Sequence, residues 1–272
     1  MTYESYNTKV IISGKRLEAY HYEQPVIKPT HRHGGRRKSS DKPSLHEVEH
    51  QKTSLHRALL KIKRLLSCNF GESSSFITLT FNQDKMPHVH DINSCKKHFN
   101  HFVKSFRRRY SNLKYLCVME FQDQTCMGGI HFHLVANVIN ITHQELQMLW
   151  QLGYVWVTEV EDDTCSIDRI ACYMTKGLND PRLGSHRKYL RSKNLISPQE
   201  LKGTTAEQCL ISLDMHEKDL ITDYAFESKY HGEIRHQEYL IWIVNSKSDN
   251  FFKGFLAILN RRQLSPYNCV KW

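Results

Sequence analysis

Residues 128–135 read Gly128-Gly129-Ile130-His131-Phe132-His133-Leu134-Val135. Because side chains alternate between the two faces of a β-strand, this stretch predicts a strand in which His131 and His133 share one face. Two aligned imidazoles supply half of a divalent-metal site. The spacing alone is weak evidence, since the chain has 17 histidines and repeats it at His31/His33 and His88/His90. Only the pair at 131 and 133 lies in an uninterrupted apolar stretch, which favours a metal site there.

The sequence on either side of this strand predicts an α+β fold. Upstream, Phe76–Phe81 and Tyr115–Phe121 have strand character, and a helix is predicted between them over roughly 92–109. Downstream, a capping box starting at Thr142 begins a second helix, and Tyr154–Thr158 forms another strand. The resulting order, β-α-β-β-α-β, is that of the ferredoxin-like or RRM-like fold. In that fold two helices cover one face of an antiparallel sheet, and the other face is available for an active site.

A further short helix is predicted from about Ser166 to Lys176, and it would cross this second face. Tyr173 and Lys176 lie one helical turn apart and share, with Arg169, the flank of a predicted buried stripe formed by Ile167, Ile170, Ala171, Met174 and Leu178. A tyrosine hydroxyl is a poor nucleophile at neutral pH, because its unperturbed pKa is about 10. A metal ion that polarises a phosphate would make its attack feasible. Lys176 would lower the tyrosine pKa or neutralise the pentacoordinate phosphorane.

The third metal ligand is predicted on the neighbouring strand. Antiparallel pairing of 115–122 with 130–136 brings Glu120 opposite His131 on the same face. Two imidazoles and a carboxylate suit Mg²⁺ or Mn²⁺, with positions left for water and phosphate oxygens. Gln122 and Asp123 are the alternative ligands.

Charge and composition predict a polyanionic partner. The formal net charge is +10, and its excess is clustered, which is typical of proteins that bind nucleic acid. The candidate DNA-binding residues are Arg107, Arg108, Arg109, Arg169, Arg187, Lys188, Arg191 and Lys193. No apolar run is long enough to span a membrane, no secretory leader is visible, and the eight cysteines never form Cys-x-x-Cys, which together predict a cytoplasmic protein. The absence of a nucleotide-binding P-loop motif implies that any helicase is another protein.

Three segments are predicted along the chain. Residues 1–44 would form an N-terminal hairpin followed by a basic flexible arm over 23–44. Residues 45–195 would form the catalytic domain with a leading helix at Leu45–Leu66. Residues 196–272 would form an α/β extension of unknown role, with a strand at Tyr239–Val244 and a terminal helix at Phe251–Arg262.

The three motifs together resemble those of the rolling-circle replication initiators (Rep proteins) of the HUH endonuclease superfamily, from plasmids and phages. Phe76–Phe81 is similar to the first motif of that family, Gly129–Val135 to the second and Tyr173–Lys176 to the third; the stretch Arg187–Leu195 also resembles Rep proteins. The resemblance implies that Tyr173 forms a 5′-phosphotyrosine at an origin and frees a 3′-hydroxyl primer. It implies His131, His133 and Glu120 as metal ligands, single-stranded or hairpin origin DNA as substrate, and a bacterial host helicase and polymerase as partners. Since Lys176 stands where some members have a second tyrosine, Tyr189 is the candidate for a second cleavage.

Three alternative functions remain open from the sequence. A relaxase or a single-strand transposase would use the same chemistry on another substrate. A non-catalytic DNA- or RNA-binding protein would use exposed aromatic residues on an RRM-like sheet, but it would leave Tyr173 and Lys176 without a role. A metal phosphohydrolase acting on small molecules would explain the histidines but not the positive charge.

Overall fold

The computed structural model describes residues 3–29, 45–71, 73–123, 128–161, 164–184, 186–213 and 219–241. Its α-helices are α1 (Leu45–Asn69), α2 (Ile92–Arg109), α3 (His143–Trp150), α4 (Thr164–Thr175) and α5 (Thr204–Leu213). Its strands are β1 (Tyr3–Ser13), β2 (Arg16–Pro29), β3 (Ser75–Leu79), β4 (Tyr115–Gln122), β5 (Gly129–Ala136), β6 (Val155–Glu159), β7 (Tyr189–Arg191), β8 (Gln199–Lys202), β9 (Leu220–Ser228) and β10 (Gly232–Leu240). The strands form two five-stranded antiparallel sheets.

The first sheet has the strand order β6-β3-β5-β4-β7. Its first four strands, with α2 and α3, follow the predicted β-α-β-β-α-β order, and the α+β fold class is confirmed. The short strand β7 extends this sheet beyond β4. The capping box of α3 is also confirmed, because the Thr142 hydroxyl accepts from the Glu145 N–H while the Glu145 carboxylate accepts from the Thr142 N–H.

Apolar side chains on one face of this sheet pack against α2 and α3. Phe99, Phe102 and Phe106 of α2 are buried against alternate residues of the central strands, among them Phe132 and Leu134. The spacing of these phenylalanines places them on one side of the helix, as the sequence predicted. This layer fixes the orientation of β5, since Phe132 points into it and its two neighbours therefore point to the opposite face.

The opposite face of the sheet carries His131 and His133 and is partly covered by α1 and α4. Ile167, Ala171, Met174 and Leu178 are buried there with residues of α1 and with Leu116, Val118 and Val135 of the sheet. The predicted buried stripe of the tyrosine helix is confirmed, with Ile170 partly buried at its edge. The packing of α1 on this face had no signal in the local sequence pattern.

The second sheet, in the order β8-β1-β2-β10-β9, joins both ends of the described chain. The N-terminal hairpin is confirmed, but the predicted arm over 23–44 is wrong for residues 23–29, which form the second half of β2. These residues pair with the start of β1, and β10 pairs with the first half of β2. Residues 30–44 and the predicted helix at Phe251–Arg262 lie outside the described residues. The three-segment division stays a prediction, and the structure adds that its first and last segments share this sheet.

Candidate active site

The register of β4 and β5 assembles the predicted cluster of histidines and carboxylate. Glu120 lies directly opposite His131, as predicted, and Val118 lies opposite His133. The Glu120 carboxylate lies 2.8 Å from His133 Nε2, at hydrogen-bond distance. His131 and His133 are buried, whereas the Glu120 side chain is 20% exposed and therefore open to solvent. The three side chains thus form one polar cluster on an otherwise apolar sheet face.

Tyr173 lies over this cluster. Its ring is edge-on to the His133 ring at a centroid distance of 5.0 Å and edge-on to Phe76 at 5.6 Å. Phe76 in turn stacks parallel to His133 at 6.1 Å. The side chain of Tyr173 remains 39% exposed, so the ring is held by the site while part of it faces solvent. A tyrosine placed in this way can reach a phosphate that is bound at the cluster.

Lys176 follows at the end of the helix. It lies in the 3-10 turn Lys176–Asn179 that continues α4, and its Nζ is 5.4 Å from the centroid of the Tyr173 ring. Burial first, and the negative charge of Glu120 second, raise the pKa of Tyr173 above its usual value. The direction of this shift is opposite to the lowering expected from Lys176. Tyr173 is therefore protonated at neutral pH in the absence of a further cation.

One residue of the site was missed in the sequence. The Thr78 hydroxyl lies 3.0 Å from His133 Nδ1, and it fixes the orientation of the imidazole from the side opposite Glu120. The signal was available in principle, since Thr78 alternates with Phe76 on β3 and its register places it directly opposite His133. Threonine is so common in strands that its presence alone indicated only β-structure.

Metal binding was tested against the donors themselves. Among the described residues, no group of three His, Cys, Asp or Glu side chains is already arranged around a metal position. The chemistry of the donors nevertheless fits, because His131 Nε2 is buried without a hydrogen-bond partner among the described residues. Burial and then the neighbouring His133 lower the pKa of His131 to about 4, so this nitrogen carries a free lone pair at neutral pH. The hydrogen bond from His133 is the first cause that lowers the pKa of Glu120, which keeps the carboxylate ionised.

The alternative ligands are used elsewhere. Gln122 donates its side-chain amide to Glu120 at 3.2 Å. Asp123 forms a bidentate ion pair with Arg182, at 2.7 and 2.8 Å. Asp123 is therefore committed to fixing the loop that carries Arg182, whereas Gln122 supports Glu120.

The basic residues predicted to bind DNA fall into two groups. Arg107, Arg108 and Arg109 form the last turn of α2, which packs on the face of the sheet opposite the histidines, and Arg109 pairs with Glu145 at 3.3 Å. The second group lies on the site's own side of the protein. Its members are Arg169, exposed on α4 with Ser166 and Glu161 as partners, and Arg187, Lys188, Arg191 and Lys193 on and around β7.

A cavity of about 520 Å³ adjoins this second group. It is lined by Arg187, Lys188 and Arg191 with Tyr115, Tyr189 and three neutral residues, and no carboxylate of the described chain lines it. Register connects it with the site, because Tyr189 pairs with Val118, which pairs with His133. The phenol of Tyr189 is thus on the same sheet face as the site, two strands away from His133.

The second sheet anchors the tyrosine helix through buried charges. Arg16 of β2 donates to Asp168 of α4 at 2.8 Å and forms an ion pair with Glu238 of β10. Lys63 of α1 reaches both carboxylates, at 3.3 Å to Asp168 and 3.0 Å to Glu238. Since Arg16 and Glu238 are almost fully buried, loss of one partner would leave an uncompensated charge. This network ties the position of α4, and with it Tyr173, to residues far away in the sequence.

Gly177 brings the end of the tyrosine helix into close contact with β4. A Cβ atom at this position would lie 3.2 Å from the Cα, Cβ and Cγ of Glu120. We expect Gly177→Ala to displace Glu120 by a few tenths of an ångström and to slow DNA cleavage about tenfold, because reaction rates depend steeply on such placement. Single-turnover cleavage rates and melting temperatures measure the effect, with Asn179→Ala in the same turn as control. Equal cleavage rates for Gly177→Ala and wild type would show that this contact does not position Glu120.

The fold and the site define an α+β protein with a histidine pair, a carboxylate and a tyrosine on one face of an antiparallel sheet. Residues 74–178 match a family model of replication-associated proteins, the ORF2 type, and the matched range extends from the start of β3 to just beyond Lys176. The match covers all three motifs and is consistent with a Rep-type replication initiator, a protein that acts in DNA replication and binds DNA. No curated protein and no solved structure matches the chain significantly. None of the described helices is long and apolar enough to cross a membrane.

Proposed function

We propose that this protein nicks and rejoins single-stranded DNA at a replication origin through a 5′-phosphotyrosine on Tyr173, and so starts rolling-circle replication. The observation that carries the proposal is the position of the Tyr173 ring, 5.0 Å from that of His133, at the exposed edge of the cluster of His131, His133 and Glu120. The match over residues 74–178 supports the same role. Membership of the HUH superfamily is part of this proposal.

The reaction exchanges one phosphate ester for another. The Tyr173 oxygen attacks the phosphorus and loses its proton, the bond to the 3′-oxygen breaks, and the departing 3′-oxygen gains a proton. Because a phosphodiester is kept throughout, a second 3′-hydroxyl can reverse the step and join strands. The free 3′-hydroxyl serves as the primer for a host polymerase, and a host helicase supplies unwinding.

The protein's own residues divide the work. Phe76 and His133 hold the Tyr173 ring from two sides. His131, His133 and Glu120 would hold Mg²⁺ or Mn²⁺, with Thr78 orienting His133. When bound, the cation would polarise the scissile phosphate and stabilise the charge that develops on it. Lys176, within 5.4 Å of the ring, adds positive charge on the side of the attacking oxygen. As a replication initiator the protein would act in the cytoplasm of a bacterial host, where its template is.

A covalent-adduct assay tests the proposal. The purified full-length chain is incubated with a pool of single-stranded hairpin DNAs with Mn²⁺ or with EDTA, and then resolved by denaturing electrophoresis. We expect an adduct that resists denaturation, that forms only with the metal, and whose DNA identifies the origin. Binding of the pool with no adduct under any divalent metal, while a known Rep protein cleaves its own origin in parallel, would favour the non-catalytic binding protein.

The two basic groups make a separate prediction about DNA binding. Neutralising Arg187 and Arg191 beside the 520 Å³ cavity should weaken binding of single-stranded DNA and lower the slope of log K against log salt concentration by about 1.4, since each phosphate contact in a single strand contributes about 0.7. The control is Arg107→Ala/Arg108→Ala, which removes the same charge from the opposite side of the sheet. Affinities measured over a range of NaCl concentrations give both slopes. A larger change for the control pair would place the DNA path on the α2 side.

A further inference from the structure

Two exposed aromatic side chains lie on the edge strand β6, beside the site but outside it. Trp156 is 65% exposed and Tyr154, just before the strand, is 75% exposed. Their neighbours Val155 and Val157 pack into the core formed with α2 and α3. By alternation, Tyr154 and Trp156 therefore project from the opposite face, which is the face of His131 and His133.

The register places Trp156 in one cross-strand row with the site. Trp156 pairs with Thr78, and Thr78 pairs with His133. At about 4.8 Å per strand, the backbone of Trp156 is about 10 Å from that of His133. Phe76, which contacts the Tyr173 ring, lies on the strand between them. The distance from the tyrosine to the aromatic pair is thus of the order of one or two nucleotides.

The surface between Tyr173 and this edge is neutral and hydroxyl-rich. The positions of β3 and β6 that share the face of the site, with those just outside the strand ends, are Phe76, Thr78, Thr80, Tyr154, Trp156 and Thr158, and none is charged. Glu159 alternates to the other face. Arg169 and Lys176 lie on the helix that carries Tyr173, on the same flank as its ring. The exposed pair between Arg169 and Glu161, at 3.5 Å, is of the kind that contributes little and exchanges readily for a phosphate.

The backbone beneath the two rings is held in place. The Thr80 N–H donates to the Tyr154 carbonyl at 2.9 Å, and the Tyr154 N–H donates to the Thr80 hydroxyl at 3.0 Å. The Trp150 indole donates to the Thr80 carbonyl, which fixes the same corner from the helix layer. Rings that project from a fixed backbone need little ordering when a ligand binds.

We propose that Trp156 and Tyr154 form a base-stacking surface for the single-stranded DNA next to the cleaved phosphate. The inference rests on the proposed function, and it adds the part of the substrate that the surface recognises: unpaired bases, not the backbone. Aromatic side chains on a sheet bind successive bases in this way because every base has a π-face. Duplex DNA keeps its bases stacked on each other, so this surface selects unpaired DNA.

The test compares intact single strands with strands that lack bases. The full-length chain in EDTA is titrated against fluorescein-labelled oligo(dT) and against an abasic strand of equal length. We expect Trp156→Ala to weaken oligo(dT) binding roughly 5- to 150-fold, and Trp156→Phe to keep most of the affinity. On the abasic strand, wild type and Trp156→Ala should bind equally. Tyr230→Ala is the matched control, because Tyr230 is 74% exposed at the turn between β9 and β10.

Three outcomes would overturn the inference. One is equal binding of oligo(dT) by wild type and Trp156→Ala. Another is a loss of equal size on the abasic strand, which would mean that the contact is not to bases. The third is a change in self-association of Trp156→Ala by sedimentation velocity, which would assign the surface to a second copy of the chain. If the base-dependent loss is observed while wild type forms no adduct with any metal, the stacking surface stands and the proposed nicking activity fails. If an adduct forms and Trp156→Ala binds normally, only the stacking surface is wrong.

Discussion

Tyr173→Phe should reduce formation of the covalent DNA adduct by about a thousandfold or more, because it removes the attacking oxygen and nothing else. The contacts that hold the ring are made by its faces and edges, against His133 and Phe76, and phenylalanine keeps them. We therefore expect an unchanged melting temperature and unchanged binding of single-stranded DNA. The measurements are denaturing electrophoresis of the adduct, thermal unfolding and a binding titration, all on the same preparation.

Tyr189→Phe is the matched control for this prediction. Tyr189 lies on the same face of the sheet, two strands from His133, and is partly buried against α1 and α4. The first cleavage should survive this substitution, whereas a second cleavage on the joined product would be lost if Tyr189 serves in termination. Retention of the adduct in Tyr173→Phe together with its loss in Tyr189→Phe would exchange the roles of the two tyrosines.

The central part of the fold could be predicted because its signals are local. Alternation in Gly129–Val135 and the helical spacing of Ile167, Ala171 and Met174 each follow from the geometry of one element. The pairing of Glu120 with His131 followed from the position of the turn between their strands. The metal site and the roles of the basic residues stay predictions, because they depend on ligands that the fold by itself does not contain.

The parts that sequence reasoning missed depend on contacts between distant residues. Nothing near Arg16 indicates that its charge is balanced by Glu238 and Asp168, more than 150 positions away. Residues 23–29 read as an arm because a proline and several polar residues gave no period, yet pairing with β1 makes them a strand. Exposure was equally invisible for Trp156, since an aromatic residue in a strand is usually assigned to the core. Tertiary neighbours decide such cases, and local patterns carry no record of them.

His131→Ala should lower the affinity for Mn²⁺ by about a hundredfold or more and abolish metal-dependent cleavage. His131 Nε2 is buried and without a hydrogen-bond partner among the described residues, so the native fold tolerates an unsatisfied donor or acceptor that a cation would satisfy. Thr78→Val, which removes the contact to His133 Nδ1, should have a smaller effect of about 10- to 100-fold, as is usual for groups that orient a ligand. Isothermal titration with Mn²⁺ measures both affinities without any DNA present.

The matched control is His88→Ala, from a histidine pair of the same spacing that lies in a loop. His88 is exposed and its removal leaves β4 and β5 untouched, so both Mn²⁺ binding and cleavage should persist. His131→Ala takes no space that Glu120 or His133 needs, and their contact at 2.8 Å should be preserved. A variant that keeps this contact and loses the metal would separate the role of the imidazole from a general loss of structure. Undiminished Mn²⁺ binding by His131→Ala, with cleavage intact, would instead move the cation away from the histidine pair and leave the buried nitrogen as a cost of packing.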